Sequence, residues 1–204
     1  MSTPWGESLA AFGDAARWFT RTTALVGDRW DSPGLGEWDV RALVGHTSRS
    51  PLTVEAYLAQ PAARVDVASA VDYYRATRAI AAGPGVAQRG RDAGTALGAD
   101  PAAEVAVITE RVTALLEGCD GTEPVTTIAG GMRLADYLLT RTFELTVHTA
   151  DLAVALGAPV EPPASAAAPA LRLVADLAAV DGRAAPLLLA ATGRTGLPAG
   201  FSVL

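Results

Sequence analysis

The residues of this sequence best suited to chemistry lie in the stretch TRTFELTVHTAD, residues 140–151. Arg141, Glu144, His148 and Asp151 follow one another here at intervals of three, four and three positions. Residues at these intervals share one face of a helix. One interpretation is an exposed helix edge, on which Arg141 and Glu144 form a surface ion pair. The other is part of a metal site, since imidazole and carboxylate groups both bind divalent cations.

A second histidine, His46, favours the metal interpretation. The chain has only two histidines, and His46 follows Gly45, which would let a neighbouring element approach closely. A lone histidine on an apolar helix face is commonly a core residue with a satisfied hydrogen bond. Two imidazoles and one carboxylate on facing helices instead match catalytic zinc sites, which keep a fourth position open. The candidate metal ligands are therefore His46, Glu144 and His148.

Two charged neighbours of these ligands are candidate catalytic residues. Asp151 could orient His148 by accepting a hydrogen bond from the ring nitrogen that does not face the metal. Its alternative is an acid on the helix surface. Arg141 could bind an anionic substrate group or hold Glu144 in place.

The elements that must position these residues are predicted to be helices, because the apolar periodicity is mostly helical and no convincing alternating strand appears. A short helix is also expected within the glycine-rich stretch 81–101. The main predicted helices cover residues 7–26, 40–59, 66–82, 101–116, 132–156, 168–179 and 184–191. The predicted fold class is all-α, a bundle of about four main helices with short C-terminal additions.

Local signals fix several helix ends. Asp39 and Asp100 are suited to cap the N-termini of two helices, and Gly157 closes the long one. Pro51 lies inside the second predicted helix, where its ring would clash with the carbonyl of Thr47. The sequence therefore predicts a kink or break one turn after the first histidine.

Composition excludes several classes of protein. The net charge of −6 argues against a nucleic-acid surface, and no apolar run is long enough to span a bilayer. The start of the chain lacks the features of a secretory signal, and the single Cys119 excludes an internal disulfide, so we expect a cytoplasmic protein. The absence of lysine and asparagine and the abundance of alanine, glycine, valine and arginine indicate a high-GC, actinobacterial genome.

Two separated motifs resemble the mycothiol-dependent maleylpyruvate isomerase family of the DinB-like helical superfamily. RWDSPGLGEWDVRALVGHTSRS, residues 29–50, is similar to its N-terminal signature. GGMRLADYLLTRTFELTVHTADLAVALG, residues 130–157, is similar to its second signature. The resemblance covers roughly residues 5–157. It implies a DinB-like four-helix bundle, here residues 1–158, with residues 159–204 as a helical extension packed on the same domain.

The resemblance also implies a cofactor and a chemistry. It implies a divalent metal, usually zinc, bound by His46, Glu144 and His148, and mycothiol as the thiol cosubstrate. A metal-bound thiolate would attack a small electrophilic substrate, giving cis–trans isomerisation or an S-conjugate. Cys119 is then not the nucleophile. In the loop, Arg89 and Arg91 could cradle the polar end of the thiol, although such arginines are more often solvated.

The chain departs from the family in one respect. The characterised isomerases carry a further C-terminal domain that completes the substrate pocket, whereas about 45 residues follow the proline-rich connection here. Maleylpyruvate is therefore not assumed as the substrate. Two other functions stay open: a metal-dependent hydrolase, with Asp151 as the available general base, and a non-catalytic metal-binding or regulatory protein. The metal (zinc, nickel, iron or manganese) and the oligomeric state, monomer or homodimer, are also open.

Overall fold

A computed structural model describes residues 4–81, 83 and 85–204. Within these residues about 65% of the chain is helical and the strands are few and short, so the all-α prediction is confirmed. The helices are α1 (Trp5–Thr23), α2 (Val40–Leu58), α3 (Ala70–Ala81), α4 (Gly85–Ala96), α5 (Pro101–Leu116), α6 (Leu134–Leu156), α7 (Ala164–Val180) and α8 (Ala184–Ala191). None of the described helices combines the length and the apolar character that crossing a membrane requires.

Four of the helices form the bundle that holds the core. α1 and α2 both pack against α5 and α6, so each of these four helices has two neighbours. The apolar stripe of α6 faces the core, where Leu134, Leu138, Leu145 and Leu152 are fully buried. Burial of such side chains removes apolar surface from water and stabilises the packed arrangement.

Helix ends largely follow the sequence signals. The Asp39 carboxylate accepts a hydrogen bond of 2.7 Å from the backbone N–H of Ala42 at the start of α2. Asp100 accepts one of 3.1 Å from Ala103 at the start of α5. Gly157 ends α6 in the left-handed conformation, with φ of 64°, which glycine adopts without steric cost.

Helix α2 differs from the prediction at Pro51. Of the predicted kink or break, the break is absent, because α2 continues through Pro51 to Leu58. Val44 and Val54 lie on either side of the proline and are both fully buried in the core. Packing on both sides therefore offsets the backbone hydrogen bond that the proline removes.

Two small hairpins lie where no strand was predicted, and the second overlaps the first two residues of the helix predicted over 132–156. β1 (Pro33–Leu35) pairs antiparallel with β2 (Trp38–Asp39), and β3 (Pro124–Thr127) pairs antiparallel with β4 (Gly130–Arg133). Strands of two to four residues are too short to show an alternating pattern, so periodicity does not reveal them.

Helix α4 packs unusually close to α2 because glycines line the contact. A Cβ atom on Gly45 would lie 2.1 Å from the backbone nitrogen of Gly94. A Cβ atom on Gly90 would lie 2.6 Å from the ring of Trp38, whose indole N–H donates to the Ala87 carbonyl at 3.0 Å. The close approach predicted at Gly45 is thus made by α4, which also fixes the position of Trp38.

The C-terminal helices pack on the outside of the bundle. α7 contacts α6 and α1, and α8 contacts α7. α7 begins at Ala164, earlier than the predicted residue 168, and it includes Pro169 within its first two turns, while α8 has its predicted bounds. The division at residue 158 into a bundle and an extension stays a prediction.

Candidate metal centre

The three candidate ligands come together between α2 and α6. His46 lies in the middle of α2, while Glu144 and His148 lie one turn apart on α6. One ligand atom from each residue can be chosen so that all three lie within 4.8 Å of one another. The Glu144 and His148 side chains are only 19% and 16% exposed. The interpretation of this row as an exposed helix edge is therefore wrong.

One nitrogen of the His148 ring is held by Asp151. The Nδ1 atom lies 3.0 Å from Asp151 Oδ2, which leaves Nε2 facing Glu144 Oε2 at 3.2 Å. A carboxylate on one imidazole nitrogen fixes the orientation of the ring and leaves the other nitrogen to bind a metal. The interval of three residues between His148 and Asp151 predicted this contact.

A tyrosine that sequence reasoning missed holds the other oxygen of Glu144. The Tyr74 hydroxyl on α3 donates to Glu144 Oε1 at 2.7 Å and lies 3.2 Å from the Thr140 carbonyl. Burial would raise the pKa of Glu144, but the contacts with His148, Arg141 and Tyr74 outweigh it and lower the pKa to about 2. The carboxylate is therefore ionised and oriented before any ligand binds.

The environment of His46 favours a neutral imidazole. Trp38 covers one side of the ring at a centroid distance of 4.5 Å, and the His148 ring stands nearly perpendicular to it at 4.8 Å. Burial, together with the nearby His148, lowers the His46 pKa to about 4. Its Nδ1 atom is buried and has no hydrogen-bond partner within the described part of the chain.

The donor set fits a divalent cation. Metal binding requires neutral histidine, and it satisfies buried ring nitrogens that otherwise lack a partner. Burial lowers the pKa of His148, but hydrogen bonds to Asp151 and Glu144 outweigh this effect and raise the pKa to about 9. Without a metal, a proton therefore lies between His148 and Glu144, and a cation would take its place.

A cavity of about 500 Å³ opens next to this cluster. All four tyrosines of the chain line its walls, namely Tyr57, Tyr73, Tyr74 and Tyr137. The remaining lining residues are Trp38, His46, Arg49, Ser50, Thr53, Thr77, Arg78, Ile80, Val86, Arg89, Ile128, Arg141, Glu144, His148 and Leu204. The volume lies in the range typical of sites for small organic ligands.

Arg141 lies in this cavity rather than in a surface ion pair. Its guanidinium carbon lies 5.0 Å from the ring centroid of Tyr137 and 5.6 Å from that of Tyr73. Its Nε atom donates to the Thr140 hydroxyl at 2.9 Å. Of the ion pairs within 4.0 Å among the described residues, none joins Arg141 to Glu144. Tyrosine rings thus hold the guanidinium, and its terminal nitrogens stay available for an anion.

The two arginines predicted to bind the thiol lie in different surroundings. Arg89 lines the cavity, whereas Arg91 lies on the exposed side of α4 and donates to Gln88 Oε1 at 3.1 Å. Arg49 lines the cavity and was missed by the sequence analysis. Its signal was the interval of three residues from His46, which places both side chains on one face of α2.

The single cysteine lies outside the cavity. Cys119 follows α5, and its sulfur lies 3.8 Å from the Leu115 carbonyl. Burial, with a contribution from Glu123, raises the pKa of the thiol, which disfavours the reactive thiolate.

Comparison with known proteins identifies one family. A sequence model described as "Mycothiol maleylpyruvate isomerase N-terminal domain" matches residues 12–153, more than half of the chain. The match and the bundle of α1, α2, α5 and α6 together confirm the expectation of a DinB-like all-α fold. No curated protein and no solved structure matches the chain significantly.

Proposed function

We propose a function on the premise that the chain belongs to the mycothiol maleylpyruvate isomerase N-terminal domain family. The chain acts as a divalent-metal-dependent enzyme that uses mycothiol as a thiol cosubstrate. It transfers the thiol to a small electrophile or isomerises the electrophile through a reversible thiol adduct. The observation that carries this proposal is the convergence of His46, Glu144 and His148 at the edge of a cavity.

The metal ligands in this proposal are His46, Glu144 and His148, with zinc as the first expectation. A bound divalent cation would supply the positive charge that deprotonates a thiol near neutral pH. Asp151 orients His148, and Tyr74 orients Glu144, through the hydrogen bonds described above. Both residues act on the ligands and not directly on a substrate.

The arginines of the cavity bind the polar ends of the reactants. Among the lining residues of the described chain, four are arginines and one, Glu144, is a carboxylic acid. Arg78 is paired with Asp181, whereas Arg141 has no acidic partner within 4.0 Å among the described residues. Arg141 would therefore hold an anionic group of the electrophile. Arg89 would bind the polar end of the thiol, with Arg91 on the neighbouring exposed surface of α4.

Two outcomes of the thiol chemistry are compatible with this site. Addition to an activated double bond, rotation about the resulting single bond and elimination of the thiol give cis–trans isomerisation. Displacement at a carbon that carries a leaving group gives an S-conjugate and releases that group. In either case Arg141 would fix the substrate beside the metal ligands, which limits the loss of entropy in the reacting complex.

The general base proposed for the hydrolase alternative is already engaged by a candidate metal ligand. Asp151 was its candidate, but its carboxylate is bound to His148 Nδ1 at 3.0 Å. The turnover experiment below distinguishes a non-catalytic metal-binding or regulatory role from the enzymatic one. The reaction proposed here also suits the predicted cytoplasmic location, because a low-molecular-weight thiol persists in a reducing compartment.

Metal content tests the ligand assignment. The purified protein should carry about one divalent metal per chain, and His46→Ala and Glu144→Ala should each lose it. Glu110→Ala, at an exposed position in the middle of α5, is the matched control and should retain it. Stoichiometric metal in both ligand variants would refute the assignment.

Thiol conjugation tests the reaction. The metal-loaded protein is incubated with mycothiol and an activated-alkene substrate, with and without a chelator, and adducts and isomers are quantified by mass spectrometry and chromatography. The proposal predicts chelator-sensitive turnover. Retained metal without any turnover would favour the binding or regulatory role.

A further inference from the structure

The mouth of the cavity is lined by three exposed aliphatic side chains together with the exposed Arg89. Ile80, Ile128 and Leu204 are 47%, 56% and 49% exposed and all line the cavity, together with the partly buried Val86. They come from separate parts of the chain, because Ile80 lies on α3, Ile128 in the turn between β3 and β4, and Leu204 beyond α8. Large apolar side chains that converge on one opening indicate a surface that binds apolar groups.

The segment that carries Leu204 is anchored. Val203 is only 7% exposed and packs in the core, and its carbonyl accepts a hydrogen bond of 3.3 Å from Arg78. Arg78 also pairs with Asp181, and Arg183 donates to the Ser202 carbonyl. The aliphatic mouth is therefore built by specific contacts.

The lining changes in character along the cavity. The mouth combines exposed aliphatic side chains with Arg89, whereas the tyrosines, Arg141 and the candidate metal ligands are buried or partly buried. A small dianion would leave the mouth unused. Mycothiol itself is a polar thiol built from sugar-like rings, so it does not supply an apolar partner for the mouth.

We propose that the physiological electrophile is amphipathic, with an anionic end at Arg141 and an alkyl or aryl body at Ile80, Ile128 and Leu204. This inference rests on the proposed function for the identity of the site, and it adds the class of substrate. The reactive carbon would lie between the two ends, next to the metal ligands. Leu204 is then a specificity-determining residue that lies beyond the segment matched by the family model.

Binding of unreactive acids tests the inference without turnover. The probes are 4-oxopentanoate and 4-oxodecanoate, which share one carboxylate and ketone head and differ by five methylenes. Their dissociation constants for the metal-loaded protein are measured by titration calorimetry. Burial of a methylene strengthens binding by up to about fourfold, so the longer acid should bind at least about tenfold more tightly at a partly open mouth.

Substitutions at the mouth locate the apolar contact. Ile128→Ser and Leu204→Ser should each reduce the ratio of the two dissociation constants by about threefold or more. Leu197→Ser is the matched control, because Leu197 is also 49% exposed but does not line the cavity, and it should keep the wild-type ratio. Equal affinities for the two acids, or an unchanged ratio in both mouth variants, would overturn the inference.

Turnover separates this inference from the proposed function. The reactive probes are 4-oxo-2-pentenoate and 4-oxo-2-decenoate with mycothiol. Sulfur bonds to one alkene carbon, and the other carbon takes up a proton, so that the thiol adds completely across the double bond. A chain-length effect on binding without any adduct would refute the proposed function and keep the apolar mouth. Adduct formation that is equally efficient for both acids would refute the amphipathic substrate and keep the thiol chemistry.

Discussion

The hydrogen bond from Tyr74 to Glu144 offers a sharp test of the metal centre. Tyr74→Phe removes one oxygen atom and keeps the ring, which packs edge-on against Phe143 and Tyr73 at centroid distances of 5.5 and 5.7 Å. The lost hydroxyl donates at 2.7 Å to a buried, ionised carboxylate. The substitution therefore perturbs the orientation of one proposed ligand and removes a longer contact of 3.2 Å with the Thr140 carbonyl.

The expected magnitude follows from the charge and burial of the acceptor. A hydrogen bond to a charged group contributes about 1.5–3 kcal/mol, and about 1.4 kcal/mol corresponds to a factor of ten in an equilibrium constant. Removing a residue that orients a metal ligand commonly lowers affinity by about 10- to 100-fold. We therefore expect Tyr74→Phe to raise the metal dissociation constant by about 10- to 100-fold.

The assay is a competition titration of the metal against a chromophoric chelator at pH 7.5. Tyr57→Phe is the matched control, because Tyr57 lines the same cavity and its hydroxyl has no hydrogen bond among the described residues. Circular dichroism and urea titrations verify that each variant is folded. A dissociation constant for Tyr74→Phe within threefold of the wild type would refute the positioning role. So would an equal loss of affinity in Tyr57→Phe.

Two further predictions concern packing and pH. Gly45→Ala should lower the free energy of unfolding by about 1–3 kcal/mol, because the new Cβ atom would lie 2.1 Å from the Gly94 nitrogen. Gly6→Ala is the control and should not destabilise the protein, because a Cβ atom there would have no contact within 4 Å among the described residues outside its own helix backbone. Urea titrations measure both, and equal stabilities would contradict the close contact. Because the pKa of His148 is raised to about 9 without a metal, metal affinity should increase by up to about tenfold per pH unit toward pH 9. In the metal-free protein, the same raised pKa increases the free energy of unfolding. This contribution is fully present below about pH 6.5 and is lost as the pH rises through 9. Competition titrations between pH 7 and 9 test the affinity, and a constant affinity would contradict the exchange of a proton for the metal.

The sequence predicted the parts of the fold that depend on local patterns. Periodicity placed α6 to within two residues at its start, and Asp39, Asp100 and Gly157 marked helix ends correctly. The break predicted from Pro51 was wrong, because tertiary packing on both sides of a residue has no local signature in the sequence. The small hairpins were missed because their strands have at most four residues.

The candidate site likewise has residues that local patterns predicted and residues that they did not. Glu144, His148 and Asp151 lie on one helix, so their intervals predicted that they would meet. Tyr74 reaches the site from α3, and no interval connects it to the candidate ligands. Arg49 follows His46 by three positions on α2, so this interval was available in the sequence and was not used. The adjacent pair Tyr73–Tyr74 was visible in the sequence, but only the packing of α3 against α6 shows that one ring faces the carboxylate.

The placement of these residues also separates the metal chemistry from the choice of substrate. The three proposed ligands lie on two helices of the bundle and within residues 12–153, the segment that the family model matches. The mouth of the cavity is instead built by the end of α3, the turn between β3 and β4 and the segment at Leu204, which lies beyond the match. Membership of the family therefore bears on the metal and thiol, while the electrophile depends in part on residues that the family model does not include. Substituting Leu204 should change which electrophile binds while leaving the three ligands in place.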